Sequence, residues 1–150
     1  MTARPRRVYL VRHAKAEREP AQDDAARPLS EEGRDRFRAH ARALAREIRL
    51  ARVVTSPYLR ARETADLLAA ATGAEVEEER RLASGASSGK DLLALARRLG
   101  DGVALVGHNP EVAEAVQMVA GDAVEVKPGT VAAIEVDGVA LRLVWARRVP

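Results

Sequence analysis

Two histidines and two arginines stand at places in the sequence where their side chains could act together on a ligand. Arg12 and His13 directly follow an apolar run, His108 comes shortly after another, and Arg60 lies in the first turns of a predicted helix that follows a third. If these runs are parallel strands, their carboxyl ends meet at one edge of a sheet, where open α/β sheets bind ligands. The four side chains are therefore candidates for one site.

These residue types suit a phosphoryl group better than a metal ion. A guanidinium fork matches phosphate oxygens through paired hydrogen bonds. His108 precedes Asn109-Pro110, a cap followed by proline that predicts a helix N-terminus, where anions bind. A neutral imidazole can attack phosphorus and form a covalent intermediate that water then cleaves. We therefore expect phosphoryl transfer without a metal ion or another cofactor.

The elements that would position these side chains alternate between short apolar runs and helical patterns. The runs are residues 8–11, 53–55, 103–106 and 131–134, and the first three lack the alternation of half-exposed strands. One helix is predicted from the N-cap Ser30, a second over about 57–71 after the cap Ser56, a third from Ser88 with Asp91 three residues on, and a fourth after Pro110.

Alternation of strand and helix predicts an α/β fold, here a three-layer α/β/α sandwich with a mostly parallel central sheet. Asp137-Gly138 joins two β-rich runs and predicts an antiparallel hairpin at the C-terminal end. We expect residues 1–150 to form a single domain, since a chain of this length can bury about two-thirds of its unfolded surface.

Composition excludes several classes of protein. The chain has no cysteine, which rules out a disulfide framework and a thiolate nucleophile. Its net charge of +3 at pH 7 arises from interspersed acids and bases, and no aromatic stacking platform accompanies it, so nucleic acid is not the expected partner. Neither a signal peptide nor a membrane span is evident, which favours a cytoplasmic protein without a membrane partner.

Three ordered motifs resemble those of the histidine phosphatase superfamily. They are Leu10-Val11-Arg12-His13-Ala14, Ser56-Pro57-Tyr58-Leu59-Arg60-Ala61 and Gly107-His108-Asn109-Pro110. Three further segments resemble the short SixA-type phosphohistidine phosphatases, and this similarity covers nearly the whole chain. They are Arg12-His13-Ala14-Lys15-Ala16, Asp24-Ala25-Ala26-Arg27-Pro28-Leu29 and Leu82-Ala83-Ser84-Gly85-Ala86. The resemblance implies a phosphoglycerate mutase-like fold.

The resemblance also implies a role for each residue of the candidate site. His13 would be the nucleophile, Arg12 and Arg60 would bind the phosphate, and His108 would be the second histidine, hydrogen-bonded to the transferred group. Arg27 is a further candidate for phosphate binding, with a salt bridge to a neighbouring acid as the alternative.

One departure from the superfamily pattern concerns the proton donor. Larger members carry a glutamate general acid near the segment that here reads Glu79-Arg80-Arg81-Leu82-Ala83, where Arg81 takes the equivalent neighbourhood. Without a strong acid, an alkoxide leaves slowly, whereas the imidazole of a phosphohistidine leaves easily. This favours phosphohistidine as the substrate. Asp24, which would alternatively orient the substrate, and Glu79 are the candidate substitutes for the missing acid.

Three interpretations of the function follow. The first is a phosphatase of phosphohistidine in a protein such as a histidine phosphotransfer domain or a phosphocarrier, because the chain has no room for insertions that would enclose a metabolite. The second is a phosphatase of small phosphoesters or other phosphorylated metabolites. The third is a regulatory module that binds phosphate without turnover. The intact set of His13, His108, Arg12 and Arg60 argues against the third.

Overall fold

The computed structural model describes residues 5–18 and 23–150, which form one mixed sheet and the helices on its two faces. The strands are β1 (Arg6–Arg12), β2 (Arg52–Thr55), β3 (Glu75–Glu78), β4 (Val103–Gly107), β5 (Val131–Asp137) and β6 (Ala140–Arg147). The helices are α1 (Glu31–Leu44), α2 (Leu59–Thr72), α3 (Gly89–Leu99) and α4 (Glu111–Ala120), with short 3-10 helices at Asp24–Ala26 and Arg80–Leu82.

The sheet has the strand order β3-β2-β4-β1-β5-β6. The pairs β3/β2, β2/β4 and β4/β1 are parallel, whereas β5 pairs antiparallel with both β1 and β6. β5 and β6 form the hairpin predicted at Asp137-Gly138. The predicted α/β class, the mostly parallel sheet and the antiparallel C-terminal hairpin are confirmed.

Two apolar layers lie on opposite faces of the sheet, because the buried side chains of each strand alternate between them. On one face, Tyr9 and Val11 of β1 pack with the apolar sides of α1 and α2. On the other face, Val8 and Leu10 pack with α3 and α4. This is the three-layer sandwich, and it places β1 and β4, both buried, at its centre.

Most of the predicted helix starts are confirmed, and one is wrong. The Ser30 side chain accepts a hydrogen bond from the Gly33 amide, and Ser88 forms a capping box with Asp91. Ser56 does not cap α2: that helix begins at Leu59, and the Ser56 hydroxyl accepts the amide of Tyr58 instead. The acidic edge strand β3 was not predicted, since three glutamates in four residues disfavour a strand.

The loop that follows β1 is held closely by two other segments. A Cβ atom on Gly33 of α1 would lie 2.1 Å from the carbonyl oxygen of Lys15, so only glycine allows this approach. From the segment before β5, the amide of Gly129 lies 3.0 Å from the carbonyl oxygens of both Arg12 and His13. Gly129 has a φ of 83°, which favours glycine. The chain from Arg12 to Lys15 is therefore fixed from two sides.

Candidate active site

The structure brings the four predicted side chains together in one pocket of about 450 Å³ at the carboxyl ends of β1 and β4. Its walls include Arg12, His13, Arg60 and His108, as well as Arg27. Lys15, Arg18, Ser84, Asn109 and Pro128 complete much of the lining. The ring centres of His13 and His108 lie 5.1 Å apart. A group the size of phosphate fits in a pocket of this volume.

The imidazole of His13 has a defined tautomer. Its Nδ1 lies 2.7 Å from the carbonyl oxygen of Ala14, and because a carbonyl oxygen only accepts, Nδ1 carries the hydrogen and donates. Burial, together with the smaller effects of the charges of Arg60 and Arg12, lowers the pKa of His13 to about 4, although the hydrogen bond to Ala14 acts in the opposite direction. The ring is therefore neutral at pH 7, with an unprotonated Nε2.

Thr64 connects the two segments that carry His13 and Arg60. Its buried hydroxyl accepts a hydrogen bond from the Ala14 amide at 3.0 Å and donates one to the Arg60 carbonyl at 2.8 Å. The carbonyl of the same Ala14 residue accepts from the His13 ring. The first turns of α2 thus hold the residue that orients the His13 imidazole.

His108 is buried between two residues that precede α2. Its Nε2 lies 2.8 Å from the Ser56 hydroxyl oxygen, and the Tyr58 ring packs edge-on against it with centres 5.0 Å apart. Its Nδ1 is buried and has no hydrogen-bond partner among the described residues. Burial, repulsion from His13 when that ring is protonated at low pH, and the charge of Arg60 lower the pKa of His108 to about 3, so this ring is also neutral at pH 7.

The two arginines are held by acceptors that leave donors unused. Arg12 donates from Nη1 to the carbonyl oxygen of Val126 at 2.9 Å. Arg60, only 4% exposed, donates from Nη1 to the Asp24 carbonyl at 2.8 Å and lies over the Tyr58 ring. The Nε atoms of both arginines are buried without a partner among the described residues. Such desolvated guanidinium groups bind an anion strongly.

Asp24 contacts the pocket through Arg60 rather than as an acid facing it. One carboxylate oxygen lies 3.2 Å from Nη2 of Arg60, and the other lies 3.4 Å from Nε of Arg27. Partial burial raises the pKa of Asp24, but Arg60 and Arg27 outweigh this effect and hold it below its usual range. Asp24 is therefore ionised at neutral pH, and Arg27 both forms the alternative salt bridge and lines the pocket.

Glu79 is not among the described residues that line the pocket. Its side chain accepts hydrogen bonds from the Arg81 guanidinium and amide, which lower its pKa to about 2. The Glu79 carboxylate is therefore ionised, and its hydrogen bonds are made to Arg81, two residues further along the chain.

Three contributors to the site were not predicted from the sequence. They are the Ser56 hydroxyl, the Thr64 hydroxyl and the Val126 carbonyl, which also accepts a hydrogen bond from the Asn109 side-chain amide. The Asn109 side chain accepts the Ala113 amide near the start of α4, but the predicted cap position is wrong by one residue: Pro110 is the cap residue, and the helix begins at Glu111. The contacts of these three groups with His108, Ala14 and Arg12 join distant parts of the chain, so no local pattern signals them.

Residues 5–18 and 23–150 contain neither a group of side chains suited to a metal ion nor a membrane-spanning helix. No three of their histidine, aspartate or glutamate side chains are grouped so that they could hold a metal ion. No helix there is long and apolar enough to cross a membrane.

The family model of the histidine phosphatase superfamily (branch 1) matches residues 8–125. The match contains β1, α2 and β4, the elements that bring the two histidines and two arginines together. The chain therefore belongs to the histidine phosphatase superfamily. A search among curated proteins gives no significant match.

Among solved structures, the fold is similar to three SixA proteins. The candidate phosphohistidine phosphatase SixA of Agrobacterium tumefaciens is 25% identical, with a TM-score of 0.84 over 97% of this chain and 99% of that one. A counterpart from Nakamurella multipartita is 24% identical, with a TM-score of 0.79 over 99% and 98% of the two chains. A protein histidine phosphatase SixA complexed with tungstate is 23% identical, with a TM-score of 0.78 over 93% and 95%. The latter two support the fold alone.

Proposed function

We propose that this protein is a phosphatase that takes up a phosphoryl group on Nε2 of His13 and acts on phosphohistidine in another protein. The observation that carries the proposal is the state of the His13 ring. Its Nδ1 donates to the Ala14 carbonyl, so its unprotonated Nε2 remains for attack beside two guanidinium groups.

The reaction would proceed in two displacements. In the first, Nε2 of His13 attacks phosphorus, the new N–P bond forms, and the bond from phosphorus to the substrate nitrogen breaks. The substrate imidazole leaves with the electron pair and takes a proton from solvent. In the second, water attacks phosphorus, the bond to Nε2 breaks, and phosphate is released with a proton passed to solvent. Arg12 and Arg60 would stabilise the charge on the equatorial oxygens in both steps.

The preference for phosphohistidine rests on the two carboxyl groups that could have supplied a proton. Asp24 and Glu79 are both held ionised by arginines, and Glu79 does not line the pocket. An alkoxide leaving group needs a proton in the transition state, whereas imidazole leaves without a strong acid. The likeness to the Agrobacterium tumefaciens protein supports the same substrate class.

A phosphorylated protein also suits the character of the pocket. It is lined by polar and cationic side chains, including the exposed Lys15 and Arg18. These cations would contact acidic residues around a phosphohistidine on a histidine phosphotransfer domain or a phosphocarrier protein.

The test compares hydrolysis of a phosphohistidine-bearing protein with hydrolysis of phosphoserine, an ester whose alkoxide leaving group needs a proton, at equal enzyme concentration and with chelator present. We expect turnover that resists the chelator, favours phosphohistidine and disappears in His13→Ala. Equal or faster ester hydrolysis would overturn the phosphohistidine preference in favour of a small phosphoester substrate. Phosphate binding without turnover would instead support a regulatory module.

A further inference from the structure

The Ser56 hydroxyl is a buried group that makes a direct contact with His108 and that the proposed mechanism has not used. Ser56 follows the carboxyl end of β2, and its amide donates a hydrogen bond to the Val106 carbonyl of the neighbouring strand β4 at 2.9 Å. This backbone bond fixes Ser56 beside the strand that leads into His108. The Ser56 side chain is fully buried, so its hydrogen bonds are made without competition from water.

The direction of the Ser56–His108 hydrogen bond follows from the partners of the hydroxyl. The Tyr58 amide donates to the Ser56 oxygen at 3.1 Å, since a backbone N–H only donates. Among the described residues, the other partner of that oxygen is Nε2 of His108, at 2.8 Å. If Nε2 also donated, the hydroxyl hydrogen would be buried without an acceptor, which costs free energy. The hydroxyl therefore donates to an unprotonated Nε2.

The remaining nitrogen of His108 then carries the hydrogen of the neutral ring. Nδ1 is the one polar atom of the ring that has no partner among the described residues, and His108 lines the same pocket as His13. Phosphoryl oxygens only accept hydrogen bonds, so an unprotonated Nδ1 facing one would repel it. The opposite tautomer would leave both the Ser56 hydroxyl hydrogen and Nδ1 unsatisfied, whereas this one leaves only the Nδ1–H, which a phosphoryl oxygen in the pocket would satisfy.

We propose that Ser56 is a positioning residue that holds neutral His108 as its Nδ1–H tautomer, so that His108 donates a hydrogen bond to the transferred phosphoryl group. The tautomer assignment stands on the contacts of Ser56 alone, and the role in turnover rests on the proposed function. The two histidines of the site then share one tautomer but obtain it differently. His13 donates from Nδ1 to a backbone carbonyl, and His108 accepts at Nε2 from a side-chain hydroxyl.

The first part of the test is long-range 1H–15N correlation NMR of protein with 15N-labelled histidine rings at pH 7. The chain has three histidines, so a His108→Gln spectrum assigns the His108 signals. We expect the wild-type protein to show the Nδ1–H tautomer at His108, and Ser56→Ala to show the Nε2–H form or a mixture. A wild-type His108 protonated at Nε2 would overturn the assignment without the need for any variant.

The second part measures turnover of the same substrates. Ser56→Ala is expected to lower kcat by about tenfold to a hundredfold with a smaller effect on KM, as for the loss of one hydrogen bond that matters most in the transition state. The matched control is Thr55→Val, which removes a neighbouring buried hydroxyl that donates to the Ser56 carbonyl without contacting His108. We expect it to keep the tautomer and the wild-type kcat.

Two results distinguish the role of Ser56 from the proposed phosphatase function. A Ser56→Ala protein that keeps the Nδ1–H tautomer and full turnover would overturn the role of Ser56. A wild-type protein that shows the predicted tautomer but hydrolyses none of the substrates would support the assignment and contradict the proposed function.

Discussion

A histidine and an arginine line a pocket of similar size at two places in this molecule. The first is the candidate active site, of about 450 Å³. The second, of about 440 Å³, lies between α1 and the C-terminal strand and is lined by His40, Glu47 and Arg147. In the second pocket, Arg147 is paired with the carboxylate of Glu47 through both of its terminal nitrogens and stacks on Trp145.

The difference between the two pockets lies in how their cations are neutralised. Both terminal nitrogens of Arg147 donate to the exposed carboxylate of Glu47, and this ion pair lowers the pKa of Glu47. Arg12, by contrast, donates to a neutral carbonyl and retains a buried, unpartnered Nε among the described residues. Residue type alone therefore does not make an anion site. We expect an anion to bind where carboxylates do not fully match the charge of the guanidinium groups, as at Arg12.

The largest difference in effect on kcat/KM between the two pockets is expected when an arginine of each is replaced by lysine. Arg60→Lys removes a planar fork from a 4% exposed site, and we expect kcat/KM to fall by about a hundredfold to a thousandfold, as for the loss of a transition-state donor. Arg147→Lys is the matched control, and it should leave kcat/KM unchanged with only a small change in Tm. Steady-state kinetics and thermal melts check both. Equal activity losses would contradict the distinction between the pockets.

The positions of His13 and His108 were accessible from the sequence because each follows directly on a buried apolar strand. The grouping of Arg60 with Asp24 was not, since the two side chains meet across 36 positions of chain. Ser56 was misinterpreted for a similar reason. A serine before proline has the local pattern of a helix cap, and only the pairing of β2 with β4 directs its hydroxyl to His108.

A smaller effect is expected from Asp24, the carboxylate that partly matches the charge of Arg60. Asp24→Asn removes the carboxylate that competes with phosphate for Arg60. Inorganic phosphate should therefore bind about two- to fivefold more tightly, the range for an exposed ion pair. Glu79→Gln, which alters a carboxylate outside the pocket lining, is the control and should not change the affinity. Isothermal titration of phosphate into each variant measures both. A large fall in ester turnover with unchanged phosphate affinity would instead identify Asp24 as the proton donor.

A separate prediction concerns stability as a function of pH. The pKa values of His13 and His108 are lowered to about 4 and about 3 in the folded protein. Below the ordinary value near 6.5, the unfolded chain therefore binds protons that the folded chain does not, and Tm should fall as the pH falls from about 6.5 toward 4. His13→Gln should flatten this dependence. A Tm that rises on acidification over this range would contradict the buried, neutral state of the rings.

Trapping the phosphoryl group on the protein tests directly whether His13 is the nucleophile. After brief incubation with a labelled phosphohistidine protein and denaturation in alkali, which preserves N–P bonds, peptide mass spectrometry should find phosphate on His13 in the wild type and in His40→Gln. His13→Gln should carry none. Phosphate at another residue, or turnover that persists in His13→Gln, would contradict the central claim that His13 is the nucleophile.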